Sequence, residues 1–124
     1  YVFNSDRQTD SRECIIVVEG VFDAIAIDGV GVLGSNINDT QADIIDSIGK
    51  EVIVMPDRDK AGEQLIDSAL EYGWGVSFPH WHEEVKDVSD AVLKYGKLFT
   101  LSSILEATQR NKLKIQLARK KLGN

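Results

Sequence analysis

The chain has 124 residues, 43% of them apolar, and fourteen Lys/Arg against twenty Asp/Glu give a net charge of −6. That length suits one domain with a modest core. No apolar run approaches the roughly 20 residues that cross a bilayer, and the acidic balance argues against a broad phosphate-binding surface.

Cys14 is the only cysteine. An internal disulfide and a cysteine-built zinc site are therefore excluded, and a reducing cytoplasm is the expected setting. The chain opens on Tyr1 without an initiator Met, as a trimmed chain or a piece of a longer protein would. Residues 1–13 are polar and turn-rich and read as a loose lead-in.

Ile15-Ile16-Val17-Val18 predicts a strand covered on both faces, ended by Glu19-Gly20. Val21, Phe22, Ile25 and Ala26 then follow helical spacing. Gly31-Val32-Leu33-Gly34 predicts a second strand running into a turn at Gly34-Ser35-Asn36. Asn38, Asp39 or Thr40 can cap a helix whose apolar positions are Ala42, Ile44, Ile45 and Ile48, and Gly49 fits its C′ position.

Val52-Ile53-Val54-Met55 predicts the third strand, stopped by Pro56. Lys60 to Tyr72 predicts a helix with Ala61, Leu65, Ile66, Ala69 and Leu70 inward, ended by Gly73. Gly75-Val76-Ser77-Phe78 predicts the fourth strand, stopped by Pro79. His80 to Lys86 reads as a loop and Val88 to Gly96 as a short helix with a glycine stop. Leu101 to Leu122 reads as one long helix whose apolar stripe is interrupted around Thr108–Asn111. The β-α-β-α-β-α-β order predicts an α/β, Rossmann-like fold. Its core is a parallel four-stranded sheet flanked by helices, with a C-terminal helix.

Charge is divided along the chain. Residues 1–100 carry eight Lys/Arg against nineteen Asp/Glu, and residues 101–124 carry six against the single Glu106. The expected division is an acidic domain over 1–100 and a basic helical extension over 101–124. That extension can meet nucleic acid, a protein partner, or solvent alone.

In such a fold ligands sit at the carboxyl ends of the strands, and Glu19, Asp57 and Asp59 all fall there. Carboxylates gathered at that edge can hold a hard divalent cation, which can polarise a phosphodiester oxygen and steady phosphoryl transfer. Taken singly, each motif has a plainer explanation. Glu19 can be a polar residue leaving the sheet, and Asp57 can cap the helix that begins with Lys60-Ala61-Gly62. His80 and His82 can bind zinc or pack as loop residues. Trp74 and Trp81 can stack on bases or fill the core. Cys14 reads as buried or half-buried.

Four segments in order carry a resemblance: Val17 to Ile25 with Glu19-Gly20 and Asp23, Leu33 to Gln41, Asp57-Arg58-Asp59-Lys60-Ala61-Gly62, and Lys86-Asp87-Val88-Ser89-Asp90. Together they resemble the Toprim domain, a module of primases, topoisomerases and certain nucleases, over roughly residues 13–97. The finer likeness is to the bacterial and phage-type DNA primase branch, on its Val-Glu-Gly-x-x-Asp, Gly-Thr/Ser-x-Leu-Thr-x-x-Gln and Asp-x-Asp-x-Ala-Gly segments. Asp87 and Asp90 depart from that branch's Asp-Pro-Asp spacing, which leaves Asp90 the weaker match.

The resemblance implies roles. Glu19 is the candidate general base, or a metal ligand. Asp57 and Asp59 would bind Mg²⁺ or Mn²⁺, with Asp23 and Asp87 adding charge around the metal. Arg58 and Lys60 are candidate nucleotide or nucleic-acid contacts, with ion pairing to the carboxylates as the alternative. Ser35 and Asn36 are candidates too, with a simple turn as theirs.

The implied activity is Mg-dependent nucleotidyl transfer that makes RNA primers on a single-stranded DNA template from nucleoside triphosphates. The implied setting is the cytoplasm of a bacterium or phage-infected host, with no membrane role. A replicative helicase or another replication protein is the implied partner. Without template-holding domains the isolated chain is expected to be inactive or weakly active. The rival expectations are a small Toprim nuclease that hydrolyses phosphodiesters and a non-catalytic module that binds a replication partner through residues 101–124.

Overall fold

Ile15, Ile16, Val17 and Val18 are each 2% exposed or less, yet they enter two different cores. Strand side chains alternate between faces. Ile15 and Val17 therefore pack in one cluster and Ile16 and Val18 in the other. Helices cover both faces of the strand, which is why the run reads as continuously apolar.

The computed structural model describes residues 2–3, 14–32, 37–57 and 60–122, with backbone alone for Val2, Phe3, Lys60, Ala61, Lys121 and Leu122. In chain order the strands are β1 (Val2–Phe3), β2 (Cys14–Glu19), β3 (Val30–Val32), β4 (Glu51–Met55), β5 (Gly75–Ser77) and β6 (Thr108–Gln109). The helices are α1 (Val21–Ile27), α2 (Asp39–Asp46), α3 (Lys60–Tyr72), α4 (Val88–Tyr95), α5 (Lys97–Glu106) and α6 (Lys112–Leu122).

The sheet order is β1-β3-β2-β4-β5-β6. The four inner strands are parallel and the two edge strands run antiparallel to them. The expected four-stranded parallel core with flanking helices and a C-terminal helix is present. On one face, Ala42 and Ile45 of α2, Leu65, Ile66 and Ala69 of α3, and Ile115 of α6 cover Val17, Val54 and Val76. On the other, Ala24 and Ile27 of α1, Val88 and Ala91 of α4, and Ile104 of α5 cover Ile16, Val18 and Met55.

Local signals account for several boundaries. Asn38 caps α2, accepting from Gln41 N at 2.8 Å, while Gln41 Oε1 accepts from Asn38 N at 3.0 Å. This reciprocal box satisfies two otherwise orphaned amides, and the cap is worth about 1 kcal/mol. Ser47 is the C-cap of α2, so Gly49, at φ 77°, falls one position beyond the expected C′.

Two elements depart from expectation. Val2–Phe3, inside the expected lead-in, pairs with β3 at the sheet edge. The long helix expected over 101–122 is two helices with a strand between them. Thr108 and Gln109 pair with Ser77 and Val76, and Phe78 N donates to Ala107 O at 3.1 Å. Asn111 Oδ1 then accepts from Leu113 N at 2.9 Å and Lys114 N at 3.3 Å, and so caps α6. The open edge of β5 takes these backbone groups, and Asn111 restarts the helix. α6 does not stand away from the sheet, because Ile115 is 1% exposed within the core.

Candidate functional site

The chain leaves β2 for α1 and β3 on one side, then returns to build β4 on the other side of β2. The strand order thus reverses between β2 and β4, and in open α/β sheets that is where a crevice forms at the carboxyl ends. Val18 lies opposite Met55 in the parallel register. Glu19 follows Val18 directly, and Asp57 follows Met55 by two residues, so both acids leave neighbouring strands at the crevice. Both are half-buried, and Glu19 Oε1 is shielded from solvent.

Backbone geometry holds this edge tightly. Gly20 links β2 to α1 at φ 90°, a region L side chains rarely adopt, and its N–H donates to Val32 O at 3.1 Å. Beside it, a Cβ on Gly31 would come within 2.9 Å of Gly20 O. Across the crevice, a Cβ on Gly62 would lie 2.0 Å from Asp57 O. The first turn of α3 therefore rests directly on the Asp57 peptide.

Asp23, in the first turn of α1, is 8% exposed. Its Oδ1 accepts from Ser89 Oγ at 2.6 Å and from Ser89 N at 2.9 Å. Burial pushes the Asp23 carboxyl above its ordinary value, the charges of Asp87 and Asp90 push the same way, and the two Ser89 hydrogen bonds oppose them. Asp87 is the N-cap of α4, with Oδ1 accepting from Asp90 N at 2.8 Å. Asp90 Oδ2 accepts from Lys86 N at 3.4 Å.

A family model described as Toprim-like matches residues 16–92, from within β2 to within α4. The chain belongs to the Toprim-like family. Among curated proteins none matches it. Its fold is similar to the zinc-binding and RNA polymerase domains of the Aquifex aeolicus primase, with a TM-score of 0.70 and 23% identity over 98% of this chain and 33% of that one. It is also similar to the DnaG primase catalytic domain bound to single-stranded DNA, with a TM-score of 0.65 and 20% identity over 86% of this chain and 38% of that one. The chain thus spans about a third of the length of these primase chains.

Within the Toprim-like fold, the expected site residues fall into groups. Glu19 and Asp57 come to the same crevice. Asp23 and Asp87 meet at the start of α4. Ser35, Asn36, Arg58 and Asp59 lie outside the described residues, as does the Lys60 side chain. Among the described residues no three His, Cys, Asp or Glu side chains come together as a metal-holding group. The donors at the Toprim-like crevice are carboxylate oxygens, the chemistry that suits a hard divalent cation.

Other expectations resolve simply. Trp74 and Trp81 are 6% and 8% exposed, and their indole N–H groups donate to Asp46 Oδ1 and Ser103 Oγ, both at 2.9 Å. They pack the Toprim-like core rather than offering open stacking faces. His80 and His82 are exposed, and His82 Nδ1 accepts from Glu84 N at 3.2 Å. A cavity of about 320 Å³ lies at the opposite end of the sheet, lined by Asp46, Glu51, Tyr72, Trp74 and Arg110. Sequence reasoning does not single out Ser89. Its only local signal is its place two residues after the capping Asp87, while its partner Asp23 lies 66 positions away.

Proposed function

We propose that this chain is the Toprim catalytic core of a DNA primase, with Glu19, Asp57 and Asp59 holding a divalent cation, Mg²⁺ or Mn²⁺. The observation that carries the proposal is the arrival of Glu19 and Asp57 on adjacent parallel strand ends at the point where strand order reverses. The likeness to primase domains supports it at the level of the fold.

The chemistry is nucleotidyl transfer. The 3′-hydroxyl of a growing RNA primer attacks the α-phosphorus of a nucleoside triphosphate, a P–O bond forms, and pyrophosphate leaves. Glu19 takes the hydroxyl proton, and its shielded, half-buried position keeps competing water away from that oxygen. A bound divalent cation supplies polarisation of a phosphoryl oxygen and neutralises charge. Asp57 is held in place by the Gly62 turn beneath it. Arg58 and Lys60, adjoining in sequence, are proposed phosphate contacts, with Ser35 and Asn36 on the loop after β3.

Single-stranded DNA is the proposed template, in keeping with the DNA-bound primase neighbour. The charge to meet it is concentrated in α6, which carries five Lys/Arg and no acid. Arg119 donates to Asp67 Oδ1 at 2.8 Å and to Glu63 O at 3.0 Å, while Arg110, just before α6, pairs with Glu51 at the start of β4. Late α6 therefore lies beside early α3, and the basic helix climbs toward the acidic crevice. A replicative helicase is the proposed protein partner, and a bacterial or phage-infected cytoplasm the proposed location.

The test is primer synthesis by the full-length protein that carries this chain. Asp57→Asn and Glu19→Gln are expected to abolish product with folding intact, and unchanged synthesis overturns the assignment. Metal-dependent cleavage of plasmid DNA without nucleotides would instead move the same acids to the nuclease reading.

A further inference from the structure

The start of α4 receives two carboxylates from different parts of the chain. A helix N-terminus exposes unpaired N–H groups and carries partial positive charge. Here Asp87 Oδ1 accepts from Asp90 N, and Asp23 Oδ1 accepts from both Ser89 N and Ser89 Oγ. Three donors thus converge on two acids that would otherwise repel each other. The same contact fastens α1, which leaves the Glu19-Gly20 turn, to α4, 66 positions later.

We infer that Ser89 is a positioning residue, and that the first turn of α4 does for Asp23 and Asp87 what a metal ion would otherwise do, so that these two acids orient α1 and α4 and the cation is left to Glu19, Asp57 and Asp59. The inference rests on the proposed cation site for where Mg²⁺ binds. It separates acids that share a motif pattern into ligands and helix anchors. The hydroxyl matters because Asp23 is 8% exposed, and a buried carboxylate short of donors is strongly disfavoured.

The test is a thermal melt of the full chain across a titration of Mg²⁺ alone. Asp23→Asn keeps the Oδ1 acceptor but removes the charge, and is expected to leave the Mg²⁺ midpoint unchanged. An acid serving the metal from its outer shell would instead weaken binding roughly 10–100-fold when replaced. Ser89→Ala is expected to lower the melting temperature and Ser89→Thr to restore it, again with no change in the Mg²⁺ midpoint. Ser89→Asp replaces the hydroxyl donor with a third carboxylate, and is expected to make stability depend on Mg²⁺ beyond the wild-type shift.

A tenfold or greater loss of Mg²⁺ affinity in Asp23→Asn overturns the inference and leaves the Glu19/Asp57/Asp59 site standing. A folded Ser89→Asp variant with no added Mg²⁺ dependence also overturns it. If wild type shows no Mg²⁺ shift at all, the proposed cation site fails, and the Ser89→Asp variant decides the inference by itself.

Discussion

Gly62 and Asp57 touch through the backbone: any Cβ at position 62 would sit 2.0 Å from the Asp57 carbonyl oxygen. Helix α3 can begin where it does only because residue 62 has no side chain. Gly62→Ala must therefore push either the first turn of α3 or the Asp57 peptide aside. Overpacking of this kind costs about 1–3 kcal/mol. Urea unfolding of Gly62→Ala should show that loss, together with weaker Mg²⁺ binding than a surface control such as Gln116→Ala. Wild-type Mg²⁺ affinity in the alanine variant would show that Asp57 is not held by this contact.

Mg²⁺ should stabilise the chain, because a ligand that binds only the folded state adds RT ln(1 + [L]/Kd), about 2.7 kcal/mol at a hundred times Kd. Melting with Mg²⁺ and with chelator should differ in wild type and coincide in Asp57→Asn. A shift that survives Asp57→Asn would place the cation elsewhere.

Acidification should favour Asp23. Its carboxyl is raised by burial, so the folded state holds the proton more tightly than the unfolded chain does. Between the unfolded and folded values the native state binds more protons, and stability falls as pH rises through that window. The ionised, buried carboxylate is thus a net cost at neutral pH. Asp23→Asn, which keeps the Ser89 acceptor, should melt above wild type at pH 7, and the gap should close as pH drops through the raised folded value toward the ordinary carboxylate value near ~4. A gap that widens on acidification would contradict the burial argument.

Removing basic charge from α6 should weaken DNA binding in a salt-dependent way. Lys114 and Lys120 are exposed on a helix without acids. In the full-length protein, Lys114→Glu with Lys120→Glu should lower affinity for single-stranded DNA. The slope of log affinity against log salt should fall by roughly 0.7 for each phosphate that the helix no longer neutralises. An unaltered slope would make α6 a solvated face.

The order of strands and helices was legible in the sequence because each inner strand is a short β-branched run and each helix between them has an apolar stripe. Glu19 and Asp57 could be assigned to one edge for the same reason: parallel strands joined by helices must end on the same side. Gly20 and Gly62 were visible as motif glycines, though only the folded backbone reveals that Gly20 is needed for its positive φ and Gly62 for the room it leaves the Asp57 carbonyl.

Long-range pairing was not legible. Residues 101–122 carry helical residues nearly throughout, and periodicity reports only local preference. Thr108 and Gln109 became strand because β5, some thirty positions earlier, offers an open edge. Likewise, Asp23 and Ser89 lie in different helices, and no spacing rule joins them. Composition and periodicity determined a parallel α/β sheet with acids at its carboxyl edge, because those depend on neighbours in sequence. The tertiary structure decided which donors Asp23 and Asp87 meet, because a buried carboxylate takes whatever donors the packed chain brings within hydrogen-bond reach.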